Sequence, residues 1–375
     1  MLYSLYQRPL ASVPHLIRTR VAPSRSACSV PWPHCRFSSS SRQPHNMSRS
    51  MKAVRVHQFG GPEVLQVESN QPLTILSPTQ VLVRVMYAGV NPVETYIREG
   101  QYSRLPELPY TPGSDAAGYV DEVGSGVTDL QVGQRVFVTG RNSGSYAEYI
   151  QVESTYVFPL HERLSFAQGA ALGVPYFTAY KALIMGAQAR PGEIVLIHGA
   201  SGAVGTAAVQ IARALGTTVV GTAGTKDGMD VVTECGAHHV FNHNHKSYEK
   251  KMVDHIGGEG FDVIIEHLAN INLGHDLQML KPGARVMVVG CRGAVNINPR
   301  HLMLPEASIK GVQLGATPPN QYKEMGAAIV AGIEAGWVNP VINREYDMTE
   351  VQQIHHDIVH SKGAKGKLVL KVTHE

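Results

Sequence analysis

The chain has 375 residues, 43% of them hydrophobic, a length that suits about two domains rather than one small core. Formal net charge is +3, but residues 1–50 hold seven arginines and no acid; setting these aside leaves 33 − 7 = 26 basic residues against 30 acidic, a net of −4. So mildly acidic a body carries no electrostatic footprint for nucleic acid, and no apolar run reaches the roughly 18 residues that a membrane helix needs.

Residues 1–50 are rich in Arg and Ser and read as a disordered, presequence-like leader of the mitochondrial-import kind. Pro9, Pro14, Pro23, Pro31 and Pro33 oppose a long amphipathic helix there. The alternative is a cytoplasmic form starting at Met47 or Met51. Cys28 and Cys35 lie in the leader, and Cys235 and Cys291 share no metal-ligand spacing, so neither a disulfide framework nor a zinc site is expected.

From Met51 the text alternates apolar and polar residues. "MKAVRVHQF", "EVLQVES", "QVLVRVMYAGV", "GSDAAGYVDEVG", "VGQRVFVTG" and "GSYAEYIQV" predict short strands between Gly-rich turns, a small barrel-like β domain over 51–174. "LSFAQGAALGVPYFTAYKALIMGA" reads as helix interrupted at Pro175. Over 175–315 the period changes. Apolar strands at 193–198, "TTVVGTAG", "HHVFNH", "FDVIIEHLA", "GARVMVVG" and "IKGVQLGA" alternate with helices, which predicts a doubly wound parallel sheet of the Rossmann type. Residues 316–375 begin with a helix and end in "GKLVLKV", a strand expected to return to the first domain. The fold class is α/β, with the Rossmann unit inserted in the β domain.

The first βα turn reads "VLIHGASGAVG". A dinucleotide fingerprint needs one glycine for the turn, one for backbone approach to the pyrophosphate and one for helix–strand packing. Gly202 and Gly205 fill the second and third roles, and Ala200 stands in the first, which it can hold if its φ stays negative. The helix start then offers Ser201, Gly202, Ala203 and Val204 to phosphate oxygens. The second strand ends "GTAGTKDG" without an acid before Asp227. Lys226, with Thr225, therefore points to a 2′-phosphate and to NADP(H). His238, His239, His243 and His245 cluster without a Cys or carboxylate at ligand spacing, so His243 is read as an adenosine-rim contact and no metal is expected.

Taken together, "AGVNPVETYIREG", "LPYTPGSDAAG", "PYFTAYKAL", "HGASGAVG" and "GTAGT" resemble the zinc-free quinone oxidoreductases of the medium-chain dehydrogenase/reductase superfamily. The resemblance spans 51–375 and implies a GroES-like fold for the first domain. Zinc-dependent relatives place a Cys after the strand ending in Val90 and a His-Glu pair after Gly113. Asn91 and Ser114-Asp115 stand there instead, so a reaction without a metal Lewis acid is implied.

The resemblance also implies roles. Tyr96 borders nicotinamide and substrate, and Asn91 and Tyr102 supply further pocket groups, packing at the domain boundary being the alternative for both tyrosines. Ala203 replaces a family glycine. Gly224 and His243 face the adenosine, Asn272 the ribose, and Val289, Gly290, Cys291 and Arg292 form the loop after the fifth strand. Val312, Gln313 and Leu314 offer backbone to the carboxamide. The expected activity is NADPH-dependent reduction of ortho-quinones by one-electron steps, with an enone or enoyl double bond as the alternative substrate. A homodimer or homotetramer is implied, as is contact with AU-rich RNA.

Overall fold

The computed structural model describes residues 49–140, 144–361 and 363–374; the expectations for residues 1–48 of the leader lie outside them. Arg49 and Ser50, assigned to the leader by composition, belong to the folded body. Ser50 opens β1 (Ser50–Val56), and Arg49 pairs with Asp121 at 2.7 Å and Glu122 at 2.8 Å.

β1 pairs with β2 (Leu65–Pro72) in a two-stranded ribbon. β3 (Gln80–Val90) leads into α1 (Pro92–Arg98), a helix that the sequence reading does not assign. Asn91 caps α1 and Pro92 takes its first position, where a missing N–H costs nothing. β4 (Asp115–Val123), β5 (Arg135–Thr139), β6 (Tyr149–Glu153) and β7 (Val157–Pro159) complete the N-terminal β region. α2 (Phe166–Gly169) and α3 (Gly173–Tyr180) then cross to the second domain. Pro175 does not interrupt this helical stretch as the sequence suggested; it lies in the first turn of α3, where its nitrogen needs no acceptor.

β8 (Ile194–Ile197), α4 (Ala203–Ala214), β9 (Thr218–Ala223), α5 (Lys226–Glu234), β10 (His239–Asn242), α6 (Tyr248–His255), β11 (Phe261–Glu266), α7 (Ala269–Asp276), β12 (Leu280–Val288), α8 (Arg300–Met303) and β13 (Ser308–Gly311) form the second domain. Its six strands are parallel in the order β10-β9-β8-β11-β12-β13, the doubly wound arrangement whose order reverses between β8 and β11. Alternate residues serve two cores: Val195 and Ile197 pack on one face of the sheet, Leu196 on the other. This is why the strands read as unbroken apolar runs.

α9 (Pro319–Ala335), β14 (Ile342–Asp347), α10 (Val351–His360) and β15 (Lys367–Lys371) bring the chain back. β15 lies antiparallel to β3 and parallel to β14, in a seven-stranded sheet with β4, β5, β6 and β7. One hydrophobic core runs through both domains: Phe137 and Phe158 of the β domain stack at 5.3 Å and reach Phe177 of α3, which meets Tyr322 of α9 at 5.8 Å.

Candidate active site

Between the two sheets lies a cleft of about 1200 Å³. One end is the turn from β8 to α4. Gly199 takes a left-handed φ of +53°, while Ala200 keeps φ negative and is fully buried. The left-handed position therefore falls on Gly199, and an alanine can follow it. Gly205 is required by packing, because a Cβ there would lie 2.5 Å from the Gly199 carbonyl oxygen and 2.6 Å from Ala200 Cα. Gly202 is different. Its backbone is extended (φ −73°, ψ 171°), and a Cβ would make only ordinary contacts, 3.6 Å from the Gly199 oxygen and 3.9 Å from Ala364 Cβ. The fold does not demand glycine at 202. Its bare backbone leaves room at the first turn of α4, whose N–H groups lack intrahelical acceptors and carry the positive end of the helix dipole.

Gly202, Ala203 and Val204 line the cleft at this end, Val289, Gly290, Cys291, Arg292, Val312, Gln313 and Leu314 along its wall, and Asn91, Tyr96 and Tyr102 from the β domain. Two backbone groups of the expected carboxamide stretch are already engaged: Val312 N–H donates to Val288 at 2.9 Å, and the Gln313 carbonyl accepts from Lys181 Nζ at 2.8 Å. Gln313 Nε2 meets the Tyr102 hydroxyl at 3.3 Å across the cleft. Ser201, Gly224, His243 and Asn272 are not among the lining residues. Ser201 is buried, and its carbonyl accepts the Gly366 N–H at 2.7 Å. Gly224 makes room for His243, whose Nε2 would lie 2.7 Å from a Cβ there. Asn272 Nδ2 donates to Glu266 at 3.2 Å.

Lys226, read from the sequence as a 2′-phosphate contact, is not among the lining residues either. It opens α5, is exposed, and its Nζ pairs with Asp230 at 2.7 Å, one helical turn on. The Thr225 hydroxyl caps α5 by accepting from Gly228 N–H at 3.1 Å. A different cation reaches the turn: Lys365, on the loop before β15, lines the cleft and pairs with Asp227 at 3.0 Å.

Sequence reasoning also missed His267. Its Nδ1 donates to the His198 carbonyl at 2.7 Å, burial lowers its pKa, and its Nε2 is buried without a partner beside the cleft. A neutral imidazole acceptor at the end of β11, next to the switch point, suits a hydroxyl group. The open helix start, the bare Gly202 and this orphaned acceptor together fit a dinucleotide.

Behind the wall, His198, Glu266 and Asp276 bring ligand-type atoms within 4.8 Å of one another. His198 Nε2 lies 2.8 Å from Asp276 and 3.8 Å from Glu266. Burial, helped by the charge of Asp276, raises the Glu266 pKa to about 7. Burial alone would lower that of His198, but Asp276 and Glu266 outweigh it and leave it raised. Glu266 Oε2 and Asp276 Oδ2 are buried without a hydrogen-bond partner, and none of the three residues lines the cleft.

At the β-domain end, Lys367 and Asp115 are buried together, Nζ to Oδ2 at 3.1 Å. Lys367 Nζ also donates to Asn91 Oδ1, and Asn91 Nδ2 donates to Asp115 at 3.0 Å and Glu94 at 3.1 Å. Glu94 accepts from the Tyr146 hydroxyl at 2.6 Å; that hydroxyl meets His355, which meets Arg98. Burial holds Glu94 above the usual carboxylate range, and burial with the nearby Arg98 charge pulls His355 down to about 3.

A β domain carrying polar pocket groups, joined to a dinucleotide-binding sheet through one cleft, defines a medium-chain dehydrogenase/reductase. Residues 77–162 match the alcohol dehydrogenase GroES-like domain family, and 203–331 the zinc-binding dehydrogenase family. The quinone oxidoreductase of Homo sapiens is 51% identical over 320 residues, covering 85% of this chain and 97% of its own length. The structure of a Pseudomonas syringae pv. Tomato DC3000 quinone oxidoreductase superposes with a TM-score of 0.77 at 26% identity, covering 86% of this chain and 99% of that one. A mycobacterial protein complexed with NADPH gives the same TM-score at 25% identity, with coverages of 86% and 99%. The chain belongs to the quinone oxidoreductase (zeta-crystallin) family of that superfamily.

Proposed function

We propose that the protein is an NADPH-dependent quinone reductase acting on ortho-quinones by one-electron steps and without zinc. The observation that carries this reading is the cleft that joins the glycine turn to Asn91, Tyr96 and Tyr102. The relatives named quinone oxidoreductase and the NADPH-bound neighbour support it.

NADP(H) supplies the reducing equivalents. The first turn of α4 would face the diphosphate, and Lys365 the 2′-phosphate, exchanging part of its contact with Asp227 for the ligand. Tyr96 and Tyr102 give the substrate end aromatic walls suited to a flat ring. Zinc independence rests on the donor set. Asn91 and Asp115 are bonded to each other and to Lys367, and an ammonium already holds the position where a cation would sit between them.

The test is NADPH and NADH oxidation by residues 49–375 against ortho-quinones, para-quinones and enones, with cytochrome c as trap for one-electron products. Faster turnover of ortho-quinones with NADPH and cytochrome c reduction are expected; turnover of enones alone overturns the reading. Lys365→Ala is expected to weaken NADPH binding about tenfold and leave NADH binding unchanged, and Lys226→Ala to change neither. Fluorescence titration of the two cofactors reads both.

A further inference from the structure

Lys367 is a charged residue at the start of a largely buried strand, β15. Its neighbours on the two faces of that strand, Leu368, Val369 and Leu370, are apolar. Yet its side chain is 2% exposed, sits opposite a fully buried carboxylate, and borders the cleft beside Asn91. An ammonium has three N–H donors. Two go to Asn91 Oδ1 and Asp115 Oδ2, which leaves one for a group in the cleft. The carboxylate cannot follow it there. Asp115 Oδ1 accepts from the Val174 N–H at 2.9 Å, and Oδ2 accepts from both Asn91 and Lys367. Asn91 is fixed in turn by Glu94 at the cap of α1. The charge is thus held in place on both sides before any ligand arrives.

We propose that Lys367 is the electrophilic group of the substrate end, donating its third N–H to the substrate oxygen on which negative charge develops during reduction. This rests on the reading of the substrate as a conjugated carbonyl compound. A preoriented donor in a water-poor site stabilises developing charge far better than the same donor in water. The residue acts by hydrogen bonding alone, and no proton leaves it.

Two measurements test it. The first needs no turnover: 4-nitrocatechol, an ionisable analogue of a reduced ortho-quinone, is titrated with pH in the presence of the enzyme, and its ionised form is read by visible absorption. Bound to the wild type it should ionise at a pH at least about one unit lower than in solution, a tenfold shift in the equilibrium. Lys367→Met paired with Asp115→Asn, which avoids leaving a buried carboxylate without its cation, should abolish that shift. Its NADPH affinity should stay within about twofold of wild type. The second is kcat for quinones of graded reduction potential. The double variant should lose about 30-fold or more on the weakest oxidant and progressively less on stronger ones. A wild-type enzyme that neither binds 4-nitrocatechol nor shifts its ionisation overturns the proposal. So does a double variant that keeps the shift, or one whose loss is equal for every quinone. An enzyme that shows the Lys367-dependent shift but reduces no quinone overturns the functional reading and leaves the oxyanion site standing.

Discussion

Gly202 and Gly205 lie three positions apart and answer to different constraints. A side chain at 205 would meet the backbone of Gly199 and Ala200 within 2.6 Å, and neither can move without disturbing β8. Gly205→Ala should therefore destabilise the protein by about 2 kcal/mol or more, seen as a lower melting temperature with or without cofactor. At 202 the fold accepts a side chain, and only a bound diphosphate objects. Gly202→Val should melt within about 2 °C of wild type while NADPH affinity falls beyond detection in a titration. Unchanged affinity would remove the diphosphate from this turn.

The element that shows most clearly how packing and protonation combine is α7. Its Asp276 reaches His198 at the end of β8, while Glu266 at the end of β11 accepts from Asn272 and Leu268 of the α7 start. The Glu266 carboxyl ionises at about 7 in the fold against an ordinary 4.5. The unfolded chain therefore gives up this proton first, and stability contributed here falls as pH rises from about 4.5 to 7. His198, whose pKa is raised, acts in the same direction: its contribution is complete below its ordinary value of 6.5 and is lost as pH rises through the folded value. Glu266→Gln keeps an acceptor for Leu268 and Asn272 and removes the ionisation. It should raise the melting temperature relative to wild type at pH 8 and have little effect at pH 5, which thermal melts at the two pH values check.

Elements of this kind were legible in the sequence because each βα unit carries its period and its caps locally. α1 was passed over although Asn91-Pro92-Val93-Glu94 contains a complete capping box, since seven residues give too little periodicity to stand out beside a strand. β14 and α10 escaped for a related reason: "INREYD" mixes charge into a strand that pairs at the sheet edge. The glycine turn was readable because its constraint is local. Lys365 and Lys367 were not, because they lie 138 and 276 positions from Asp227 and Asn91, the residues they meet. Lys226, which the sequence offers because it directly follows the second strand's glycine turn, lies exposed on α5 and pairs with Asp230.

In the molecule as a whole, the return segment ties the phosphate turn to the β domain through consecutive residues. Gly366 N–H donates to Ser201 in the phosphate turn, Lys367 follows in the β domain, and α9 joins the aromatic core that passes from one domain to the other. A ligand held at the turn should therefore stabilise the whole described body. At a hundred times its dissociation constant, NADPH contributes about 2.7 kcal/mol, which for a body of this size raises the melting temperature by roughly 5 °C, in one transition rather than two. Gly366 is the joint that transmits this. Its φ is +58°, and a Cβ would lie 2.2 Å from the Val341 carbonyl oxygen, so Gly366→Ala must shift the loop away from Ser201. This variant should weaken NADPH binding although its side chain faces Val341 and not the phosphate turn. Calorimetry should show two transitions, with only the higher or the lower responding to cofactor. A single transition with the full NADPH shift in Gly366→Ala would mean that the aromatic core alone couples the domains.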